Sequence, residues 1–176
     1  MFVSRMMNCR GFTLLELLIA LAIGLFMLGG IAVAYSTIRS TIAVNQELAQ
    51  AQEVIRYTSQ LMTRSIKQTA STPQVMLNGE ALEVSQVANT PACDGSVPVV
   101  NYTETFSLLD GYLLCDISSD NLPAQRLLRG VNGLSFSVDG LITSITVTPV
   151  GVPAQYAAGI QIDIAASQQV LATANW

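Results

Sequence analysis

Residues 10–30 read RGFTLLELLIALAIGLFMLGG, an apolar run in which Glu16 is the only charged side chain after Arg10. Glu16 is also the only charged residue in the stretch 12–38, which has 27 positions. A helix of that length spans roughly 40 Å at about 1.5 Å per residue, whereas the hydrocarbon core of a bilayer is about 30 Å thick. The stretch therefore predicts a membrane-spanning helix, and its carboxylate requires an explanation because hydrocarbon disfavours charge.

Basic residues indicate the orientation of this helix. Arg5 and Arg10 precede the apolar run, and the positive-inside tendency places such residues in the cytoplasm. The sequence thus predicts a cytoplasmic N-terminus, with everything after Arg39 on the other side of the membrane. Glycines at positions 24, 29 and 30 would allow a second helix to approach closely in lipid.

The apolar run has three interpretations. A cleaved secretory signal would use the small residues AVA at 32–34 as its cleavage site. Two observations argue against a secretory signal: the run exceeds the usual apolar length of about 7–15 residues, and it contains a glutamate. A plain signal anchor accounts for everything except Glu16. A third interpretation, which accounts for Glu16 as well, comes from the residues around the start of the run.

The string RGFTLLE at residues 10–16, followed by an unbroken apolar helix, resembles the prepilin signature of type IV pilins and type II secretion pseudopilins. The resemblance implies that a prepilin peptidase cleaves after Gly11 and that the new N-terminal residue, Phe12, is N-methylated. It also implies that the helix forms a filament core, in which Glu16 meets the amine of Phe12 on a neighbouring subunit. Such a charge would offset the cost of a lone carboxylate in lipid, about 2–3 kcal/mol on insertion scales. A Glu16 that reaches the headgroups is the alternative.

Two further segments narrow the resemblance. IALAIGLFMLGG at 19–30 and LLRGVNGLSFSV at 127–138 are similar to PilW-type minor pilins and, more distantly, to J-type minor pseudopilins of type II secretion. Major pilins typically carry a proline within the membrane helix, and this helix has none, which fits a minor subunit. The resemblance implies that the partners are other minor and major pilins, the prepilin peptidase and an inner-membrane pilus assembly platform.

Helical periodicity continues beyond the membrane segment. Apolar residues recur at three-, four- and seven-residue steps, namely Ile38, Ile42, Leu48, Ile55, Met62 and Ile66. The pair Thr72-Pro73 ends the pattern, because the residue before a proline avoids the helical conformation. We therefore predict one helix from about Phe12 to about Thr69, with its apolar stripe packed on a globular domain.

After this helix the hydrophobic pattern changes to period two. Asn-Gly at 78–79 and Asp-Gly at 110–111 lie between apolar runs, and both dipeptides predict two-residue hairpin turns. The second hairpin would pair Phe106 with Cys115 and Leu108 with Leu113. Segments around 134–138, 144–148 and 160–164 alternate apolar and polar residues. Together they predict an antiparallel sheet whose apolar face packs on the helix.

The expected fold class is α+β and pilin-like, with a long N-terminal helix packed on an antiparallel β-sheet domain. We divide the chain into a leader peptide at 1–11, a transmembrane and filament-core helix at 12–38, an amphipathic helix at 39–70 that packs on the head, and a periplasmic β-rich domain at 71–176. The expected location is the bacterial inner membrane as a single-pass protein, and then the pilus at the cell surface.

Three cysteines occur in the chain. Cys9 precedes the cleavage site and should stay in the cytoplasm, which leaves Cys93 and Cys115 outside. In an oxidising compartment two thiols are expected to form a disulfide, worth about 3 kcal/mol in the chain-entropy model. Free buried thiols and a metal site are the alternatives, although two cysteines without histidine make a poor zinc site.

The composition argues against most other classes of function. Histidine is absent, which excludes Ser-His, Cys-His and His-metal chemistry. The formal net charge is −4, which disfavours general electrostatic binding to nucleic acid. Arg126 and Arg129 are the candidates for a ligand or DNA contact at a pilus tip, although such a pair usually flanks a strand on a solvated edge. The acidic residues at 80, 83, 104, 110, 116 and 120 are scattered and are expected to be solvated, with a paired-carboxylate glycosidase as the alternative.

We therefore expect a structural minor pilin subunit that helps to start or cap a type IV pilus, with no enzymatic activity, no cofactor and no metal. A minor pseudopilin of a type II secretion system is the alternative within the same architecture. The alternative from another class is a membrane-anchored binding domain that never polymerises.

Overall fold

The longest element is a single helix, α1 (Leu14–Gln68). Leu, Ala, Ile and Met dominate its first half and no proline interrupts it, so the helical propensity is high throughout. The computed structural model describes residues 13–119, 122–152, 156–167 and 171. It divides into two compact units, Met1–Asn45 and Gln46–Trp176, and α1 contributes residues to both.

The first unit consists, in its described residues, of the N-terminal part of α1. Every residue from 13 to 45 is exposed, including the apolar ones. The helix is long and apolar enough to cross a membrane, with a mean hydropathy of 2.6 in its most apolar window. A water-soluble surface does not normally carry so large an apolar area, so this segment requires lipid or protein around it.

The second unit begins with the C-terminal part of α1, which has one buried face. The buried residues of α1 recur at three- and four-residue steps and are Ala51, Val54, Thr58, Leu61, Met62, Ser65 and Ile66. The predicted apolar stripe is therefore wrong in its first part, because Ile38, Ile42 and Leu48 are exposed. Small residues and residues with a hydroxyl group occupy several positions of the observed buried face. A pattern of large apolar residues does not include them.

Eight strands follow within the described residues. They are β1 (Gln74–Met76), β2 (Ala81–Gln86), β3 (Tyr102–Leu109), β4 (Tyr112–Ile117), β5 (Gln125–Arg129), β6 (Val131–Asp139), β7 (Ile142–Pro149) and β8 (Ile160–Ala165). All observed pairings are antiparallel. They form a five-stranded sheet in the order β1-β2-β3-β4-β5 and a three-stranded sheet in the order β6-β7-β8. The sequence predicted one sheet, so the division into two is a correction.

The division occurs at Gly130, between β5 and β6. Gly130 has a φ of +96°, and a Cβ there would lie 3.3 Å from the side-chain amide nitrogen of Gln50 and 3.5 Å from a methyl carbon of Val54. Its N–H donates to the Gly111 carbonyl at 3.0 Å, and its own carbonyl accepts from the Val150 N–H at 2.8 Å. The chain therefore turns sharply against α1 and passes from one sheet to the other at this glycine.

The β3–β4 hairpin has the predicted form. Leu109 pairs with Tyr112 across the two-residue loop Asp110-Gly111, whose φ angles of 52° and 76° are those of a type I′ turn. The predicted pairs of Phe106 with Cys115 and Leu108 with Leu113 are present.

The β1–β2 hairpin has the predicted register but a longer loop. Met76 pairs with Ala81, as a turn at Asn78-Gly79 requires, yet the flanking Leu77 and Glu80 do not extend the strands. Leu77 has a φ of 51°, and the Glu80 N–H donates to the Leu77 carbonyl at 3.2 Å to close a 3₁₀ turn. The two-residue loop predicted here is wrong, because Leu77 leaves the extended conformation and points its side chain to solvent.

The core of the second unit lies between the buried face of α1 and the sheets. Its fully buried large side chains include Met62 and Ile66 from α1, Phe106 from β3 and Ile145 from β7. Burial of each such side chain contributes about 1.5–3 kcal/mol relative to exposure. The fold class predicted from the sequence, a long helix packed on antiparallel β-structure, is therefore confirmed.

Candidate processing and assembly site

Of the residues predicted to act in processing and assembly, the structure describes Glu16. Gly11 and Phe12, the predicted cleavage and N-methylation positions, fall outside the described residues. Glu16 lies in the first turn of α1 and its residue is exposed. It is therefore accessible on the helix surface to a neighbouring molecule.

Thr13 caps this end of the helix, a role that was not predicted from the sequence. The Thr13 hydroxyl oxygen accepts a hydrogen bond from the Glu16 backbone N–H at 3.2 Å. Thr13 immediately precedes α1, so it is the N-cap and Glu16 is the third helical residue. The spacing Thr-x-x-Glu is the signature of a capping box and could have revealed it. An acid in the first turn also interacts favourably with the helix dipole.

Large apolar side chains surround the start of the helix and continue along it. Leu14 is 80% exposed and Phe26 is 85% exposed. A Cβ added at Gly24, Gly29 or Gly30 would meet no atom within 4 Å. The glycines therefore leave the helix backbone open to close approach by another helix, a packing mode that is favoured in lipid.

A disulfide joins Cys93 to Cys115, which are 22 residues apart. Cys93 belongs to the loop between β2 and β3, and Cys115 lies in β4, where it is 1% exposed. Polar contacts reinforce this attachment: Arg64 of α1 donates to the Ala92 carbonyl at 2.6 Å. The carboxylate of Asp94 accepts from the Ser96 hydroxyl at 2.7 Å. The β2–β3 loop is thus fixed to both the helix and the sheet.

A buried carboxyl group lies beneath this loop. Glu104 of β3 is 1% exposed, so the expectation that it is solvated is wrong. Its Oε2 accepts from the Ser65 hydroxyl and, at 3.2 Å, from the Gln86 side-chain amide. The same amide also donates to the Ser65 backbone carbonyl at 2.9 Å, which caps the last turn of α1. The alternation of β3, in which Tyr102 and Phe106 share its buried face, could have revealed Glu104.

Burial is the main influence on the ionisation of Glu104. It raises the pKa of Glu104, while hydrogen bonds from Ser65, Cys93 and Gln86, together with the Arg64 charge, act in the lowering direction. Burial likewise raises the pKa of the neighbouring Tyr102. Burial thus favours the neutral form of a carboxyl group whose hydrogen bonds join the helix to the sheet.

The other candidate groups form no metal-binding cluster in the described residues. These residues contain no group of three or more Cys, Asp or Glu side chains that could hold a metal ion. Arg126 and Arg129 lie in β5, an outer strand of the five-stranded sheet. The Arg126 guanidinium lies 4.7 Å from the centre of the Tyr112 ring, a cation–π contact at the edge of the sheet.

Comparison with known proteins identifies the N-terminal motif. Residues 6–32, which include Gly11, Phe12 and Glu16, match the family model described as the prokaryotic N-terminal methylation motif. No curated protein and no solved structure matches the chain. The motif implies processing by a prepilin peptidase and assembly with other pilins, and the apolar helix fits a membrane-anchored subunit. The N-terminal segment therefore supports a type IV pilin-like protein, of the pilin or the pseudopilin type.

Proposed function

We propose that this chain is a minor pilin of the PilW type, a structural subunit that helps to initiate or cap a type IV pilus. In this proposal the prepilin peptidase removes residues 1–11 by cleavage after Gly11, and Phe12 becomes the N-methylated first residue. The chain has no catalytic role. Its partners are other minor and major pilins and the inner-membrane assembly platform.

The match of the N-terminal methylation motif at the head of an exposed apolar helix carries this proposal. A secretory signal is discarded after cleavage, whereas α1 continues without a break into the core of the second unit, where Met62 and Ile66 are fully buried. Removal of the chain as far as residue 34 would leave the head with an unanchored helix. A chain cleaved after Gly11 keeps both its anchor and its fold.

The proposed assembly role of Glu16 rests on its position. Glu16 is exposed in the first helical turn. Thr13, three positions before it, caps the helix and fixes where the helix starts. Cleavage after Gly11 would create a positive amine on Phe12 in every subunit, near the depth of Glu16 in the membrane. Axially offset neighbours can therefore pair the Glu16 carboxylate of one chain with the Phe12 amine of the next.

The proposed topology places residues 39–70 and 71–176 on the outer face of the inner membrane. The Cys93–Cys115 disulfide supports an oxidising compartment for the head. The two Arg residues at positions 5 and 10 support a cytoplasmic N-terminus. From the periplasm the head would then move with its filament to the cell surface.

The intact mass and N-terminal sequence of the mature chain test the proposal. We expect a chain that begins at Phe12 and carries one added methyl group, and we expect Gly11→Val to prevent cleavage. A mature chain beginning at Tyr35 would identify a secretory signal. An uncleaved wild-type chain beginning at Met1 would instead identify a simple membrane anchor.

The methylation motif also fits a minor pseudopilin, so a second experiment separates the two assemblies. A deletion strain should lose surface pili, and the chain should be recovered in sheared pili together with the major pilin. A deletion strain with normal pili and defective protein secretion would favour the pseudopilin. A chain that is absent from both assemblies would favour the non-polymerising binding domain.

A further inference from the structure

The charged residues of α1 delimit the part of the helix that can span a membrane and mark the point at which the helix would leave it. Between Glu16 and Glu47 the only charged residue is Arg39. The uncharged stretch 17–38 has 22 residues. As a helix, this stretch is about 33 Å long, at a rise of about 1.5 Å per residue. A bilayer has about 30 Å of hydrocarbon. If one end of the stretch lies at a membrane surface, Arg39 therefore lies at the depth of the headgroups of the opposite leaflet.

Tyr35 and Arg39 form a pair on one side of the helix at this depth. The Arg39 guanidinium carbon lies 5.2 Å from the centre of the Tyr35 ring, a cation–π contact across one helical turn. Both residues are exposed, and Tyr35 retains 57% of its accessible surface. The guanidinium carbon lies over the ring, and no hydrogen bond between Arg39 and the described part of the chain occupies its N–H donors. Those donors match the geometry of a phosphate group.

The hydroxyl groups around this pair are satisfied by the helix itself. Ser36 and Thr37 donate to the Val33 carbonyl at 2.9 and 3.0 Å. Ser40 and Thr41 donate to the Thr37 carbonyl at 2.9 and 3.0 Å. These four side chains can thus lie at the boundary of the hydrocarbon, because each hydroxyl already donates a hydrogen bond to the helix backbone and does not need water as its acceptor. Arg39 has no such hydrogen bond within the described residues, so its guanidinium is open to a partner from outside.

We propose that Tyr35 and Arg39 form a lipid-binding site at the membrane exit of α1, in which Arg39 binds a phosphate group of a lipid in the leaflet on the C-terminal side of the span. The inference rests on the proposed membrane anchoring of the chain, and it goes further by fixing the depth of the helix. Tyrosine favours the same interfacial region, because its ring is apolar and its hydroxyl is polar.

A lipid phosphate fits this site better than a carboxylate from a second copy of the chain. The acids nearest to Arg39 along the sequence are Glu16, which is 23 positions before it, and Glu47, which is eight positions after it. A second helix would therefore need an axial offset of about 12 Å at about 1.5 Å per residue to bring Glu47 opposite Arg39. A lipid phosphate is present at headgroup depth around every isolated chain.

Cysteine accessibility in vesicles tests the depth of the helix. The full chain, carrying Cys9→Ser, receives one new cysteine at Ala34, Ala43 or Gln46 and is reconstituted in phosphatidylglycerol vesicles with the head outside. Fewer than one chain per vesicle excludes pairing between copies. A membrane-impermeant maleimide then labels the new cysteine wherever it projects from the bilayer, while the disulfide of the head does not react.

Each position has an expected result. In the wild-type background we expect labelling at 43 and 46 and none at 34. Arg39→Leu extends the uncharged stretch to residue 46, so we expect the boundary to move by about one to two helical turns and position 43 to become protected. Arg39→Lys should keep the original boundary, and Arg56→Leu, which lies beyond the span, is the matched control without effect. An unchanged boundary in Arg39→Leu would overturn the proposal.

A phosphate-free lipid tests the identity of the partner. In vesicles of digalactosyldiacylglycerol the wild-type chain should lose its fixed boundary, and labelling at position 43 should fall towards the Arg39→Leu level. Identical boundaries in the two lipids would show that Arg39 needs only an aqueous interface and would overturn phosphate binding. Labelling at position 34 in every variant would instead contradict the span itself, and with it the proposed anchoring.

Discussion

At the scale of single residues, Glu16 has a local contact and a proposed intermolecular one. Its backbone N–H donates to the Thr13 hydroxyl oxygen, whereas its carboxylate, on an exposed residue, is proposed to meet a neighbouring subunit. An N-cap contributes about 1 kcal/mol to the stability of a helix, and an acid in the first turn adds about 0.3–1 kcal/mol. Because the cap uses the backbone of Glu16, a change of its side chain leaves that bond in place.

We expect Glu16→Gln to impair assembly while leaving insertion, processing and folding intact. Breaking a buried ion pair costs about 3–5 kcal/mol when one charge is left without a partner, so incorporation into filaments should fall sharply. Glu16→Leu should behave in the same way, and Glu47→Gln, an exposed acid further along α1, is the matched control. The measurement compares recovery in sheared filaments with the amount in the membrane. Normal incorporation of both Glu16 variants would remove the assembly role.

Glu104 gives a prediction of pH dependence. Burial raises the pKa of Glu104 above its ordinary value of 4.5, so the folded state favours the neutral acid. Its contribution is fully present below pH 4.5 and is lost as the pH rises through the folded-state pKa. Relative to wild type, the Glu104→Gln variant should therefore gain stability as the pH rises from acid to neutral.

Denaturant unfolding of the full chain in detergent, from pH 4 to pH 8, measures this difference. Asp116→Asn, which changes an exposed acid on the adjacent strand β4, serves as the matched control. Asp94 and Asp163 have lowered pKa values, but their influence is common to both chains and cancels in the comparison. A constant difference between Glu104→Gln and wild type would show that burial does not control this carboxyl group.

At the scale of secondary-structure elements, the entry into β8 depends on a glycine. Gly159 has a φ of +88°, and a Cβ at this position would lie 2.7 Å from the Thr146 methyl carbon and 2.7 Å from the Thr148 hydroxyl oxygen. Gly140 also has a positive φ, +59°, but a Cβ there would meet no atom within 4 Å. The two glycines share a backbone requirement and differ in the space around them.

We expect Gly159→Ala to destabilise the head more than Gly140→Ala. Both variants place an L-residue in the left-handed region, which costs about 1–2 kcal/mol. Gly159→Ala adds the cost of displacing a packed strand, about 1–3 kcal/mol, because β7 has no room for the new methyl group. Urea unfolding of the two variants measures the difference in unfolding free energy. Equal losses of stability would contradict the prediction, because they would mean that β7 accommodates the new methyl group at position 159 without cost.

At the scale of the whole molecule, the Cys93–Cys115 bond links the loop between β2 and β3 to strand β4 of the five-stranded sheet. We expect the double variant Cys93→Ser, Cys115→Ser to lose about 3 kcal/mol of unfolding free energy in the chain-entropy model. Non-reducing peptide mapping of the exported chain should recover the two cysteines joined to each other. Reductant should destabilise the wild type and leave the double variant unchanged. Recovery of two free thiols from the native compartment would contradict the disulfide.

Local patterns in the sequence were sufficient for several parts of this protein. The length and composition of the apolar run predicted the long helix α1, which the structure begins at Leu14. Asp-Gly at 110–111 predicted the β3–β4 hairpin with its register, because only residues that tolerate positive φ fit such a turn. The motif around Glu16 predicted the pilin-like class, since its residues lie within a few positions of one another. Each of these features depends on neighbours in sequence.

Other features depended on contacts between distant parts of the chain, and only the tertiary structure decided them. The buried face of α1 begins at Ala51 because the sheets cover that part of the helix. Several residues of this face are small or carry a hydroxyl group, so the spacing of large apolar residues does not predict them. Glu104 is buried because Ser65 and Gln86, from α1 and β2, converge on it. The strands separate into two sheets because Gly130 turns against Val54. Burial depends on what packs against a residue, and the sequence around that residue does not contain this information.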